Sequence, residues 1–151
     1  MKLYLDMCAL KRPFDDQTQE RVAAEAFAVV TLLDRIERGV DQSIWSTALT
    51  LENDADPDAE VRMEVAKFAD RAAASLRLTT QIEARINELT AAGLRPLDAA
   101  HVAFAEAEAC DVLITCDDRL LRQAARVGCL IRVMNPLEYM REVGHAESND
   151  R

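Results

Sequence analysis

Four acidic residues stand at the edges of apolar segments, where carboxylates are uncommon: Asp6, Glu52, Asp98 and Asp117. Asp6 and Asp117 each follow an apolar, strand-like run. Asp98 lies early in a helix-like segment, and Glu52 ends the segment Trp-Ser-Thr-Ala-Leu-Thr-Leu-Glu. In an open α/β sheet, ligand sites lie at the carboxyl ends of the strands. The positions of the four acids therefore predict that they converge at one edge of a sheet.

Metal binding is the chemistry that such a group of carboxylates predicts. Like charges gathered from distant parts of a chain repel one another unless a cation holds them. A ligand set made only of oxygen favours a hard divalent ion such as Mg²⁺ or Mn²⁺. Taken singly, each acid also fits a simpler role, as a strand terminator, an exposed helical residue, a helix N-terminal residue or part of a turn. Their shared pattern favours metal-assisted phosphoryl chemistry.

Alternating strand-like and helix-like segments predict the fold that positions these acids. Apolar residues spaced by three and four positions indicate helices, and short apolar runs indicate buried strands. The predicted strands span residues 2–6, 43–46, 112–115 and 130–134, and the predicted helices span 17–38, 58–75, 80–92 and 118–127, with further helices that carry Glu52 or begin at Pro96 and Pro136. This alternation predicts an α/β fold with a parallel sheet covered on both faces. We expect one domain over residues 1–143 and a polar, disordered tail over residues 144–151.

Composition limits the class of protein. The 151 residues are 50% hydrophobic and 30% charged, which is typical of a globular protein. No apolar stretch approaches the roughly 20 residues of a membrane span, and no signal-peptide core follows the N-terminus, so we expect a cytoplasmic protein. The four cysteines form no Cys-x-x-Cys pair, which argues against a zinc site or a disulfide framework.

Net charge opposes nonspecific binding to nucleic acid. The chain carries a net charge of −9, whereas nonspecific affinity for nucleic acid depends on Lys and Arg that neutralise phosphates. Basic residues nevertheless lie close in sequence to the acids, and these are the candidate substrate-binding residues: Lys11, Arg12, Arg95, Arg119 and Arg122. The overall acidity predicts either a substrate that is bound locally or a basic partner protein, rather than a long basic groove.

Four sequence blocks surround the acids. They are Leu-Tyr-Leu-Asp-Met-Cys-Ala-Leu at Asp6, Ser-Thr-Ala-Leu-Thr-Leu-Glu at Glu52, Leu-Asp-Ala-Ala-His-Val-Ala-Phe-Ala at Asp98 and Asp-Val-Leu-Ile-Thr-Cys-Asp-Asp-Arg-Leu-Leu at Asp117. In this order, and over most of the chain, they resemble the PIN-domain nucleases, a family that includes the VapC-type toxins of bacterial toxin–antitoxin pairs. The last two blocks are the most specific. The family often has a small hydroxyl residue just after the first acid, where this chain has Met-Cys.

The resemblance implies a fold, an activity and partners. The implied fold is a three-layer α/β/α sandwich with a central, mainly parallel sheet. Its acidic pocket holds Mg²⁺ or Mn²⁺ and cleaves RNA, so the protein is expected to be a metal-dependent endoribonuclease. Carried over by position, the metal-binding and catalytic acids are Asp6, Glu52, Asp98 and Asp117. As the toxin of a toxin–antitoxin pair, it would have a small basic antitoxin protein as its partner and would form a homodimer.

Two further residues lie next to the proposed acids. If the strand geometry continues, Asp117 points to the same side as Thr115 and Asp118 points away. We therefore assign Asp117 to the site, and Asp118 to the N-cap of the next helix or to an outer position. His101 lies three residues after Asp98 on an adjacent helical face. We predict that it is a packed or hydrogen-bonded histidine rather than a base.

The motifs of other phosphate-binding folds are absent from the sequence, and two functions remain as alternatives to a toxin nuclease. A P-loop or a dinucleotide fold requires clustered glycines, and the four glycines of this chain are scattered. One open alternative is a PIN-like protein that only binds a partner and retains its acids for structure. The other is a PIN nuclease that acts in RNA processing without an antitoxin. Metal affinity separates the first alternative from both nuclease functions.

Overall fold

A five-stranded, wholly parallel sheet forms the centre of the protein, and across it the strands, numbered along the chain, lie in the order third, second, first, fourth, fifth. The computed structural model describes residues 1–151. The strands are β1 (Lys2–Leu5), β2 (Gln42–Ser46), β3 (Ala74–Leu76), β4 (Val112–Ile114) and β5 (Arg132–Met134). The predicted α/β/α sandwich with a parallel sheet is confirmed.

Eight α-helices flank the sheet. They are α1 (Met7–Lys11), α2 (Glu20–Glu37), α3 (Thr47–Asp54), α4 (Ala59–Arg71), α5 (Thr80–Ala91), α6 (Pro96–Ala107), α7 (Asp118–Ala124) and α8 (Pro136–Asn149). A short 3-10 helix, Arg12–Phe14, follows α1. None of these helices combines the length and the apolar character needed to cross a membrane.

The central strand β1 explains why the first acid lies where it does. Leu3 and Tyr4 are fully buried and Leu5 is nearly so. Apolar residues at consecutive positions are typical of a strand that is covered on both faces. Leu5 pairs with Ile114 at the end of β4. The next residue, Asp6, still donates its backbone N–H to the Ile114 carbonyl at 3.1 Å. The carboxyl ends of β1 and β4 therefore lie side by side, and each leads directly into an acidic residue.

A strand that the sequence pattern did not predict forms one edge of the sheet. The helix predicted over residues 58–75 ends at Arg71, and β3 follows at Ala74–Leu76. This strand is short and half exposed, so it carries no continuous apolar run, and it exists because Ile44 and Ser46 of β2 pair with it. Such pairing is nonlocal and leaves little trace in the sequence.

Other element boundaries also differ from the predicted ones. α7 ends at Ala124 rather than at residue 127, and β5 begins at Arg132 rather than at residue 130. The segment predicted to be a disordered tail is instead helical through Asn149 as the end of α8. There Arg35 of α2 pairs with Glu147 at 2.5 Å, a contact between elements that composition does not reveal.

A buried acid, Asp41, ties three parts of the fold together just before β2. Its side chain is 2% exposed. It accepts hydrogen bonds from Arg35 Nε at 2.9 Å, from Tyr139 Oη at 3.0 Å and from the N-terminal amine of Met1 at 3.0 Å. Burial alone would raise the pKa of Asp41, but these donors hold it below its ordinary value. Asp41 is therefore an ionised structural residue that joins α2, α8 and the start of β1.

Candidate active site

All four predicted acids line a single cavity, which we call the acidic cavity. Its volume is about 460 Å³. The residues that line it are Asp6, Met7, Cys8, Glu52, Arg95, Pro96, Leu97, Asp98, His101 and Asp117. They come from the end of β1 with α1, from α3, from α6 and from the junction of β4 with α7. Four acids that are far apart in sequence are thus brought to the carboxyl edge of the parallel sheet.

Asp6 is the most buried acid of the cavity. It is the N-cap of α1, and its Oδ1 accepts the Ala9 backbone N–H at 3.0 Å. The residue is 4% exposed, and burial raises the pKa of its carboxyl well above the ordinary value. Arg95, the basic side chain of the cavity, pairs with Asp98 and Asp117 and not with Asp6. Asp6 is therefore a buried carboxylate for which the protein supplies no paired cation.

Cys8 lies next to Asp6 in the acidic cavity and contacts it directly. Its thiol donates to Asp6 Oδ1 at 3.0 Å, and its sulfur accepts the Cys116 backbone N–H at 3.3 Å. The neighbouring Cys116 and burial together raise the pKa of the Cys8 thiol, so it remains a protonated donor. This contact to the first acid was not predicted from the sequence. Asp6 Oδ1 therefore accepts two hydrogen bonds, one from the Cys8 thiol and one from the Ala9 backbone N–H.

Arg95 lines the cavity and pairs with two of its acids. Its Nε contacts Asp98 Oδ2 at 2.9 Å, and its Nη2 contacts Asp117 Oδ2 at 2.5 Å. Arg95 precedes Pro96 at the start of α6, which places Asp98 in the first turn of that helix. The arginine side chain is 48% exposed, whereas those of Asp98 and Asp117 are 13% and 27% exposed. The two carboxylates thus already share one positive charge.

The cavity meets the chemical requirement for a hard divalent ion, though its side chains are arranged around a guanidinium. Carboxylate oxygens are the ligands that Mg²⁺ and Mn²⁺ prefer. The structure as it stands groups no three histidine, cysteine or acidic side chains so as to hold one metal ion. Two of the acids are engaged by Arg95, and Glu52 is engaged by His101. Asp6 with Asp98, Asp117 and Glu52 could hold an ion once Arg95 moves aside.

His101 is a buried, hydrogen-bonded histidine, as predicted. It is 2% exposed, and its Nε2 lies 2.7 Å from Glu52 Oε1. Its Nδ1 lies 2.7 Å from Tyr4 Oη, which in turn lies 2.6 Å from Ser46 Oγ. Neither Tyr4 nor Ser46 was predicted from the sequence to contact a residue of the site. The available signal was a hydroxyl on each of two buried strands, β1 and β2, which lead to Asp6 and Glu52.

The choice between Asp117 and Asp118 is decided by their contacts. Asp117 lines the acidic cavity and is also the N-cap of α7, where its Oδ1 accepts the Arg119 backbone N–H at 2.9 Å. Asp118 lies outside the cavity and pairs with Arg21 of α2, at 2.8 and 2.5 Å. The prediction that Asp118 caps α7 is therefore wrong, because Asp117 does so.

Four of the five predicted substrate-binding cations do not line the cavity. Arg95 is the only one of the five that lines it. Lys11 pairs with Asp56 at 2.6 Å. Arg119 and Arg122 are exposed on α7.

Arg12 turns away from the cavity toward a buried acid. Its Nη2 lies 3.1 Å from Oε1 of Glu25, which is fully buried in α2, and its Nη1 lies 3.0 Å from Asp15 Oδ2. Glu25 also accepts a short hydrogen bond from Asn135, the N-cap of α8. The structure gives no support to the prediction that Arg12 binds the substrate, because Arg12 does not line the acidic cavity and its guanidinium pairs with a buried carboxylate. Through these contacts the segment that follows α1 is connected to α2 and to the start of α8.

Comparison of the sequence with models of protein families and with curated proteins finds no match. The residues of the acidic cavity and their chemistry are therefore the basis for a functional proposal.

Proposed function

We propose that this protein is a divalent-metal-dependent endoribonuclease that hydrolyses RNA phosphodiester bonds in the acidic cavity, with Mg²⁺ or Mn²⁺ as its cofactor. The observation that carries the proposal is the convergence of Asp6, Glu52, Asp98 and Asp117 on one cavity. Carboxylates that come from four segments of a chain repel one another when they are brought together, and a bound divalent ion would offset this repulsion. The resemblance of the surrounding sequence blocks to the PIN-domain nucleases supports RNA as the substrate.

In this mechanism the protein orients the reacting groups and neutralises charge. A bound divalent ion would supply an activated water and would stabilise charge on the phosphoryl oxygens. Asp6 and Asp98 would hold the principal ion. Asp117 and Glu52 would complete the site directly or through water, since Mg²⁺ usually keeps several waters. Arg95, displaced from its two carboxylates, would be free to pair with a substrate phosphate.

The partners and the biological role belong to the same proposal. The resemblance supports the toxin of a toxin–antitoxin pair, a cytoplasmic homodimer whose protein partner is a small basic antitoxin. An acidic surface with a net charge of −9 is suited to a basic partner. A nuclease that processes RNA without an antitoxin would use the same cavity and the same ion.

A metal-dependence assay tests the activity directly. We expect the purified protein to cleave a mixture of structured and single-stranded RNAs with Mg²⁺ or Mn²⁺, to stop in EDTA and to recover when excess Mn²⁺ is added. Products are followed on denaturing gels. A doubly substituted protein, Asp98→Asn with Asp117→Asn, is the matched negative control for contaminating nucleases. Cleavage that survives EDTA, or that the double variant retains, would contradict the proposal.

Arg95→Ala is expected to tighten metal binding. The guanidinium pairs with Asp98 and Asp117 and so competes with a metal ion for them. Partly exposed ion pairs are each worth up to about 1 kcal/mol, so we expect the Mn²⁺ Kd to fall by about threefold to thirtyfold. Calorimetric titration measures this change, and the metal-induced rise in Tm should grow with it.

Arg126→Ala is the control for this substitution, because Arg126 is an exposed residue beyond the end of α7 and does not line the cavity. A weaker or unchanged Mn²⁺ affinity in Arg95→Ala would show that the arginine does not compete with the ion. RNA affinity should fall in the Arg95 variant, since it loses the one cation that lines the cavity.

A second candidate function is a PIN-like binding protein without catalytic activity. The salt bridges of Arg95 favour this function, because an arginine of the protein itself offsets the charge of two of the acids without any metal. This function predicts that saturating Mg²⁺ or Mn²⁺ leaves the melting curve of the wild-type protein unchanged. The nuclease function predicts a rise in Tm, because an ion that binds only the folded state stabilises it.

A further inference from the structure

A continuous chain of hydrogen bonds runs from the core of the sheet to Glu52. Ser46 Oγ lies 2.6 Å from Tyr4 Oη, Tyr4 Oη lies 2.7 Å from His101 Nδ1, and His101 Nε2 lies 2.7 Å from Glu52 Oε1. Tyr4 and Ser46 are fully buried, and His101 is 2% exposed. The chain therefore begins in the interior and ends at a carboxylate of the acidic cavity.

Each hydrogen bond in this series has one donor and one acceptor, and the hydrogens all point from Ser46 toward Glu52. The Glu52 carboxylate accepts, so His101 Nε2 carries the hydrogen. In the neutral ring Nδ1 then accepts from the Tyr4 hydroxyl, and the Tyr4 oxygen accepts from the Ser46 hydroxyl. The Ser46 oxygen accepts the Leu49 backbone N–H at 3.3 Å, which completes the chain at the N-terminus of α3. Each hydroxyl hydrogen takes part in one hydrogen bond. By donating to Nδ1, Tyr4 favours the His101 tautomer that carries its hydrogen on Nε2 and donates it to Glu52.

Glu52 differs from the other acids of the cavity in how it is held. Asp6 and Asp117 cap helices through backbone N–H groups, and Asp98 is held by Arg95 from the same helical turn. Glu52 has a longer side chain, is 28% exposed and makes its hydrogen bond to His101 alone. A flexible carboxylate needs such a partner, because the groups that hold metal ligands in place control metal affinity.

We propose that His101, oriented by Tyr4, is a positioning residue that sets the carboxylate of Glu52 for metal binding in the acidic cavity. This inference rests on the proposed function and deepens it. His101 acts through Glu52 and does not itself contact the ion or the RNA. The alternative is a structural role only, in which the chain satisfies buried polar groups and has no effect on the metal.

Mn²⁺ affinity, measured by calorimetric titration, separates these roles. We expect His101→Leu to weaken the Mn²⁺ Kd by about tenfold to a hundredfold, the usual effect of losing a partner that orients a ligand. His101→Gln should restore much of the affinity, because its amide N–H can replace Nε2–H. Tyr4→Phe should cause a smaller loss of Mn²⁺ affinity, because the His101 imidazole remains but no hydroxyl now favours the tautomer that donates to Glu52.

Tyr139→Phe is the matched control for Tyr4→Phe. Both tyrosines are fully buried, but the Tyr139 hydroxyl donates to Asp41, which does not line the cavity. Tyr139→Phe should lower Tm and leave the Mn²⁺ Kd unchanged. Equal Mn²⁺ affinities in Tyr4→Phe and Tyr139→Phe would overturn the role of Tyr4.

A double-mutant cycle between His101→Leu and Glu52→Gln decides whether His101 acts through Glu52. We expect His101→Leu to have little further effect on Mn²⁺ affinity when Glu52 is already replaced. Additive losses, or a wild-type Kd in His101→Leu, would overturn the inference while leaving the proposed function intact. A wild-type protein that binds no Mn²⁺ at all would instead overturn the proposed function, and this inference with it.

Discussion

Asp6→Asn is expected to stabilise the metal-free protein while it abolishes metal binding and RNA cleavage. Asp6 is 4% exposed and has no paired cation, so its ionised form is costly to bury. An asparagine side chain keeps an oxygen that can accept the Ala9 N–H, and it carries no charge. We expect the free energy of unfolding without metal to rise by about 0.5–2 kcal/mol, as for other substitutions that relieve a strained functional site.

The same substitution removes one of the four proposed metal ligands. We expect cleavage to fall at least about a hundredfold, because metal catalysis contributes several kcal/mol and each 1.4 kcal/mol or so is a tenfold change in rate. The metal-induced rise in Tm should disappear. Thermal melts with EDTA or Mn²⁺ and a cleavage assay measure the three effects. Asp70→Asn, an exposed substitution on α4, is the control. A destabilised Asp6→Asn protein that still cleaves RNA would contradict both parts of the prediction.

Asp41→Asn should produce the largest loss of stability. The side chain is 2% exposed and accepts hydrogen bonds from Arg35, Tyr139 and the amine of Met1. Removing one partner of a buried ion pair typically costs 3–5 kcal/mol, and Arg35 retains Glu147 as a second partner. We therefore expect the free energy of unfolding at pH 7 to fall by about 2–4 kcal/mol. Urea denaturation measures it, with the exposed substitution Asp34→Asn as the control.

The effect of Asp41→Asn should depend on pH in a defined direction. Its donors hold the pKa of Asp41 below the ordinary value in the folded protein. A carboxyl with a lowered pKa stabilises the folded state fully above its unfolded pKa of about 3.9, and this stabilisation is lost as the pH falls through the folded pKa. The difference between wild type and Asp41→Asn should therefore shrink as the pH falls below about 4. A difference of the same size at pH 7 and pH 3 would show that the charge of Asp41 is not what stabilises the fold.

Local sequence patterns were sufficient to predict the parallel α/β fold and the four acids that the structure brings to one cavity. Apolar runs of strand length and helical spacing are local properties, so they identified β1, β4 and α6 closely. Parallel topology then determines where the residues that follow β1 and β4 must lie, because all strands end at the same edge. The residue types that follow those strands, Asp6 and Asp117, were therefore informative about a site before any contact was known.

Side-chain partners and the edge strand depended on contacts between distant segments. Long, flexible arginines can point in many directions, so proximity in sequence to an acid did not show that Arg12 pairs with Glu25 or that Arg95 bridges Asp98 and Asp117. The β3 strand exists through its pairing with β2, since its own three residues bury too little apolar surface to predict it. The chain from Ser46 through Tyr4 and His101 to Glu52 likewise forms only when β1, β2, α3 and α6 pack together. Periodicity reports which face of an element is buried, whereas a hydrogen bond between elements depends on atomic positions that only the packed chain defines.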